Sequence, residues 1–264
     1  MKRRKKYKRV LVISDMHCGH QTGLTPSSYY VAVKGQRQEK WAYVRRELWS
    51  FFSEGIEKWR PYDLLIVNGD ALEGKGVRSG GTELITTDRN AQCEIAQQVI
   101  EYIKSPIIRM VYGTASHTGT EEDWEDMIAK NVGAKIGSHE WYTINGTTFD
   151  FKHKIGSSTI PHGRLTPLAR DILWNRLWHS QGQQPLADIL VRSHAHYFEQ
   201  CEHEQCLGFI TPALQGFGNK FGSRECSGTV DLGFLIFDCY EGGEVLWHKE
   251  LIVGKTMRAT AEVF

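Results

Sequence analysis

Three short apolar runs in the first half of the chain restrict the fold more than any other feature. "RVLVISD" (9–15), "DLLIVNGD" (63–70) and "PIIRMVYG" (106–113) are short, continuous and closed by polar residues. That is the pattern of strands buried on both faces. Between them the apolar positions recur at helical spacing. Trp41, Val44, Leu48 and Phe52 share one stripe of a helix predicted over 36–59, and Ala91, Ile95, Val99 and Ile103 share another from about 88 to 104. Strand alternating with helix points to α/β layers.

The second half adds strands. "WYTINGTTFDFKH" (141–153) reads as a hairpin, because Asn145-Gly146 suits a type I′ turn. A short helix is expected over 121–131, with Thr120 as cap and acids in its first turn. Another should start at Thr166-Pro167 and run to about His179. "ADILVRSHAH" (187–196) reads as a strand, and "DLGFLIFDCY" followed by "EGGEVLWHKEL" as a hairpin about Gly242-Gly243. Strands in both halves with helices interleaved predict an α/β fold: a four-layer α-β-β-α sandwich of two mixed sheets flanked by helices.

The 264 residues show no internal repeat and no linker, so residues 10–264 are expected to form one domain. Nothing approaches the roughly 18 unbroken apolar residues of a membrane span, and the basic N-terminus lacks the apolar core of a secretion signal. The expectation is a cytoplasmic chain without membrane contact. The six cysteines form no CxxC pair, which fits free thiols in a reducing compartment. Cys201, His203 and Cys206 do not have the repeated spacing of a zinc ribbon.

Charge is unevenly placed. The stretch "MKRRKKYKR" (1–9) holds seven Lys or Arg and no acid, and without it 25 basic against 31 acidic residues leave the remainder at −6. Residues 1–9 are read as a basic, disordered tail, with contact to a nucleic-acid backbone as its one functional use.

Four predicted strands end in residues that bind metals: Asp15 and His17, then Asp70, then His153, then His194 and His196. In layered α/β folds, sites form outside the carboxyl ends of strands, so these distant positions can meet. Alternate residues on a strand would put both imidazoles of His194 and His196 on one face. Mixed imidazole and carboxylate donors suit Mn, Fe, Zn or Ni rather than calcium.

This set, in this order, resembles the calcineurin-like metallophosphoesterase superfamily, whose members carry D-x-H, G-D, G-N-H-[DE], a lone His and G-H-x-H. Asp15 and His17 match the first motif, Gly69-Asp70 the second, His153 the lone His, and Ser193-His194-Ala195-His196 the last, with Ser for Gly. "SDMHCGHQTGLTP" and "GTASHTG" resemble the branch common in bacteriophage genomes, which would place the chain in host cytoplasm. The resemblance implies two divalent transition-metal ions, Mn²⁺ first among Mn, Fe, Zn and Ni. Asp15, His17 and His196 would hold one, His153 and His194 the other, and Asp70 would bridge. His117 would be the catalytic histidine. The implied function is hydrolysis of phosphate esters by a metal-activated water, with a phosphodiester or nucleic acid favoured as substrate. A phosphomonoesterase and a catalytically impaired binding scaffold remain the alternatives. The third motif departs from the family: "YGTASHTG" has no asparagine beside His117. "ALEG" after Asp70 also lacks the Asn, Asp or His common there.

Overall fold

The computed structural model describes residues 7–30, 36–119, 121–203, 205–216 and 230–252, with the side chains of 36–40 and of Arg78 left aside. Eleven strands are described: β1 (Tyr7–Ile13), β2 (Leu64–Asn68), β3 (Ile108–Val111), β4 (Lys135–Gly137), β5 (Glu140–Ile144), β6 (Thr147–Phe151), β7 (Ile189–Arg192), β8 (Glu199–His203), β9 (Cys206–Ile210), β10 (Leu232–Tyr240) and β11 (Val245–Ile252). They form a six-stranded sheet, β11-β10-β1-β2-β3-β4, and a five-stranded sheet, β5-β6-β7-β9-β8. In the first, β1, β2, β3 and β4 run parallel, with antiparallel β10 and β11 at one side. In the second, β6, β7 and β9 run parallel between antiparallel β5 and β8.

The two sheets pack face to face. Val10, Val12, Ile66 and Val111 of the first sheet meet Phe149, Phe151, Val191 and Phe209 of the second. The opposite face of the first sheet carries Leu11, Ile13, Leu65 and Val67 against α1 (Gln36–Trp59) and α2 (Arg89–Ile103), which supply Leu48, Phe52, Ile95 and Val99. Alternate residues of one strand therefore serve two cores, which is why the strand runs are apolar without a break. Helix α5 (Leu165–Ser180) covers the outer face of the second sheet through Leu168 and Ile172. The order helix, sheet, sheet, helix is the expected four-layer sandwich. Among the described residues, no helix is long and apolar enough to cross a membrane.

Several local expectations are corrected. Strand β1 begins at Tyr7, so the last three residues of the basic run belong to the sheet: Arg9 donates to both carboxylate oxygens of Asp238 at 2.7 Å and to the Trp59 carbonyl at 2.7 Å. Residues 1–6 lie outside the described residues. Helix α4 (Trp124–Asn131) starts later than expected because Asp123 caps it, accepting from Glu125 N at 3.2 Å; Thr120 lies outside the described residues. Helix α5 has no Thr166 cap. A 3₁₀ turn over Pro161–Gly163 runs straight into it, and Arg164 already has helical dihedrals. Trp174 is 41% exposed and stacks on Trp178, since this helix is apolar on more than one face and its spacing does not choose a side. Strand β7 stops at Arg192, four residues short of His196.

Candidate metal centre

The parallel strands of both sheets present their carboxyl ends at one edge of the sandwich. Asp15 and His17 follow β1, Asp70 follows β2, and His117 follows β3 on the one-turn helix α3 (Ala115–Thr118). From the second sheet, His153 follows β6, and His194 and His196 follow β7. All seven sequence-predicted residues come together. Three groups have donor atoms within 4.8 Å of one another: Asp15, His17 and His196; His17, Asp70 and His117; and Asp70, His153 and His194.

The backbone is bent to achieve this. Among the described residues eight non-glycine residues have positive φ, and five of them are Asp15 (50°), His17 (45°), Asp70 (52°), His194 (72°) and His196 (57°). The left-handed region costs an L-residue roughly 1–2 kcal/mol, and it persists where surrounding contacts over-determine it. His194 and His196 therefore do not share a strand face. They sit on a loop and go to different groups, His196 towards Asp15 and His17, His194 towards Asp70 and His153. Close packing adds a further demand. A Cβ on Gly113 would lie 2.2 Å from Asp70 Oδ1, and one on Gly69 would lie 2.4 Å from His153 Nδ1.

The donor atoms face each other closely, His17 Nε2 lying 3.2 Å from His196 Nε2. His196 Nε2 is 3.2 Å from Asp15 Oδ1, and His153 Nε2 is 3.1 Å from Asp70 Oδ2. Yet Asp15 Oδ1 and His153 Nε2 are buried with no hydrogen-bond partner. Buried polar atoms are rarely left unpaired. Neighbouring ligand atoms around an ion with bonds of about 2.1 Å stand roughly 3–3.4 Å apart, so the spacing fits a cation between them.

Ring tautomers agree. His17 Nδ1 faces Glu73 Oε2 at 2.8 Å, and His153 Nδ1 faces the Asn68 carbonyl at 2.6 Å. Both partners only accept, so each Nδ1 carries a proton and Nε2 is the inward ring atom whose lone pair a metal would take, the arrangement that outer contacts give metal-ligating histidines. His117 Nδ1 likewise faces the Glu73 carbonyl at 2.9 Å.

Electrostatics follow from this crowding. Burial works against the charge on Asp15, but His196 and His153 outweigh it and hold the carboxyl down at about 2. Burial also opposes a charged His153, and Asp70 with Asp15 overcomes it and pushes the imidazole up to about 10. Without a cation, protons on the histidines balance the buried carboxylates.

Two acids escaped the sequence reading. Glu73, in the "ALEG" that lacks the usual polar residues, supplies the carboxylate on His17 and stands 3.6 Å from His117 Nδ1. The signal was an acid in a short glycine-bounded loop. Glu125 is fully buried on α4 and accepts from Ala71 N at 2.8 Å and Gly113 N at 2.7 Å. Its signal was an acid on the same helical face as Ile128 and Ala129. Near His117, where the resemblance implies an asparagine, Thr114 donates to Asp70 Oδ1 from its main chain at 2.7 Å and from its hydroxyl at 3.1 Å. Other candidates stand apart. Cys18 packs in the core, and burial raises its thiol. His20 Nδ1 accepts from Thr22 N at 3.1 Å, and burial lowers its ring to about 4. Of the glycine-rich stretch 215–225, residues 217–225 lie outside the described residues.

Among solved structures, the chain aligns with a single mutant of Vps29 from Entamoeba histolytica at 14% identity and a TM-score of 0.46, covering 92% of this chain and 99% of that one. It aligns with vacuolar protein sorting 29 from Cryptosporidium parvum at 12% identity and a TM-score of 0.47, covering 93% and 98%. A novel archaeal phosphodiesterase aligns at 13% identity and a TM-score of 0.46, covering 92% and 99%. No family model and no curated protein matches the chain.

Proposed function

We propose that the chain is a dinuclear metal-dependent phosphoesterase, with a phosphodiester, above all a nucleic acid, as substrate. The observation that carries this reading is the pair of donor groups, Asp15–His17–His196 and Asp70–His153–His194, whose inward atoms include two buried ones without hydrogen-bond partners. Asp15, His17 and His196 would hold one ion and His153 and His194 the second, with Asp70 between them. Mn²⁺ is the first candidate, and Fe, Zn and Ni suit the same donors.

When bound, such a pair of ions supplies Lewis-acid stabilisation of the phosphoryl group and activation of a water. The chain's own residues do the rest. Asp70 is held by two donors from Thr114, which fixes the carboxylate proposed to stand between the two ions. With Nδ1–H of His117 committed to the Glu73 carbonyl, Nε2 is the ring atom left to pass a proton to the leaving oxygen.

A binding scaffold is the competing reading. It is favoured by Thr114, whose hydroxyl turns to Asp70 where the family has an asparagine side chain. Five strained backbone positions weigh against it, since a site without ligands has no physical need for them.

The test is Mn²⁺-dependent hydrolysis of bis-p-nitrophenyl phosphate against p-nitrophenyl phosphate, with Asp70→Asn as control. Diester turnover at least about 10³-fold above the variant is expected. Monoester preference would redirect the reading to a phosphatase. No turnover by the metal-loaded chain would favour the scaffold.

A further inference from the structure

The segment that leaves His153 and returns as helix α5, residues 154–170, contains Lys154, His162, Arg164 and Arg170 and no acid. The charged residues just inside it are fully engaged. Arg192 donates to Asp150 Oδ1 and Asp171 Oδ2, both at 2.8 Å, and Lys152 pairs with Asp171 at 3.1 Å. In contrast, Lys154, Arg164 and Arg170 have no hydrogen bond and no ion pair among the described residues. Charge is neutralised on the strands beside the segment and left without ion pairs at these three residues.

Lys154 and Arg164 connect to the centre at positions that adjoin its histidines in the chain. Lys154 is exposed and directly follows His153. The Arg164 guanidinium stacks over the ring of Tyr197, 4.7 Å from its centroid, and Tyr197 directly follows His196. Arg164 Nε is buried without a hydrogen-bond partner. Arg170 folds back on the start of the same segment: a Cβ on Gly156 would lie 3.6 Å from its Nη2 and 3.5 Å from Pro167. Glu199 of β8 acts on Arg164 through space, and burial raises its carboxyl.

We propose that Lys154, Arg164 and Arg170 form a phosphate-binding rim that grips the backbone of a single-stranded nucleic acid on one side of the scissile diester. This rests on the phosphodiesterase reading and deepens it. A planar guanidinium held on an aromatic ring presents its remaining N–H groups to a phosphate, or its free face to a base. A small monoester has no second anionic group to reach beyond the centre, whereas a strand carries one at every nucleotide. The rim lies on the second sheet's side of the site, so it takes the strand flank that leaves past His153 and His196.

The test compares the full-length chain with K154A/R164A, using a single-stranded DNA oligonucleotide and bis-p-nitrophenyl phosphate in Mn²⁺. The kcat/KM ratio of oligonucleotide to small diester should fall at least about tenfold in the double variant, and the salt slope of log KM should flatten by about 1.4 for two lost phosphate contacts. Arg164→Lys should recover part of the loss, because the charge returns without the fork. An unchanged ratio and slope would overturn the rim. So would wild-type turnover of the small diester with a preference for phosphopeptides over oligonucleotides. If neither diester is hydrolysed, the phosphodiesterase reading fails by itself. Anisotropy of a labelled oligonucleotide on the same two proteins then decides the rim, with at least about tenfold weaker binding by the variant expected and equal binding overturning it.

Discussion

Glu73 makes two uses of one residue: its carboxylate fixes the proton on His17 Nδ1, and its carbonyl fixes the one on His117 Nδ1. Truncation should separate them, because a side-chain change leaves the carbonyl in place. Glu73→Ala is expected to weaken Mn²⁺ binding by about 10–100-fold, the usual effect of removing the carboxylate that orients a metal-ligating histidine. Glu73→Gln keeps an acceptor without the charge and should fall between. Titration calorimetry measures both, and wild-type affinity in Glu73→Ala would remove Glu73 from the centre. The buried histidine–carboxylate contacts also set a pH dependence in the metal-free chain. His153 is raised from 6.5 to about 10, so the stability it contributes is complete below about 6.5 and is lost as pH rises through 10. Asp15 is lowered from 3.8 to about 2, so its contribution is complete above 3.8 and is lost on acidification. Melting temperature in EDTA should therefore fall from pH 6.5 to 10, and His153→Asn should flatten that fall. A metal competes with the proton for Nε2, so saturating Mn²⁺ should remove the alkaline decline as well. A flat profile in EDTA would contradict the assignment.

At the scale of elements, the loop after β2 is clamped from two helices. Glu125 of α4 ties Ala71 N to Gly113 N, and Gln92 of α2 accepts from Gly74 N at 2.8 Å and donates to Gly74 O at 3.0 Å. Asp70 and Glu73 sit inside that clamp. Glu125→Gln places an amide donor against one of two backbone donors, so one buried N–H loses its partner. The expected cost is about 1–3 kcal/mol in urea unfolding, together with weaker Mn²⁺ binding. A loss of stability with unchanged metal affinity would show that the clamp supports the fold and not the centre. The central strands were legible because burial on both faces leaves an unbroken apolar run, and the hairpin at Asn145-Gly146 because its turn needs positive φ, observed at 51° and 97°. Hairpin β8–β9 was not legible: "EQCEHEQCLGFI" begins on an exposed edge strand, where polarity hides the pattern. The site residues were readable from their motifs, but their arrangement was not. His194 and His196 looked like strand neighbours, and only the left-handed backbone after β7 sends them to different groups. Glu125 had no motif to mark it, since its role is to hold backbone rather than to face the site.

At the scale of the whole molecule, two of the three donor groups cross between the sheets, while His17, Asp70 and His117 all come from the first. Asp15 and His17 come from the first sheet and His196 from the second; Asp70 comes from the first and His153 and His194 from the second. At this edge the sheets are also joined by hydrogen bonds, from Asn68 Nδ2 to Ser193 Oγ at 2.6 Å and between the Ser14 and Thr211 hydroxyls at 2.7 Å. Apolar contact joins them as well, with Phe149 and Phe209 edge-on to Phe237. A cation in either group would link the sheets directly, so metal binding and sandwich stability are coupled. Ligand that binds only the folded state stabilises it by about 2.7 kcal/mol at 100 times its Kd. The wild-type chain should therefore bind two Mn²⁺ and melt higher in Mn²⁺ than in EDTA. His194→Ala removes a donor from one group alone, because the Asp15–His17–His196 group does not include it. That variant should bind one Mn²⁺ and keep part of the thermal gain. Asp70→Asn acts on the shared carboxylate and should weaken both ions, with a larger loss of the thermal gain than His194→Ala. Metal content by mass spectrometry under native conditions, read beside the melts, separates these outcomes. Two ions in His194→Ala, or equal losses in the two variants, would contradict a centre of two groups joined through Asp70. A single ion in the wild type would leave the groups as alternative sites for one cation and remove the dinuclear chemistry.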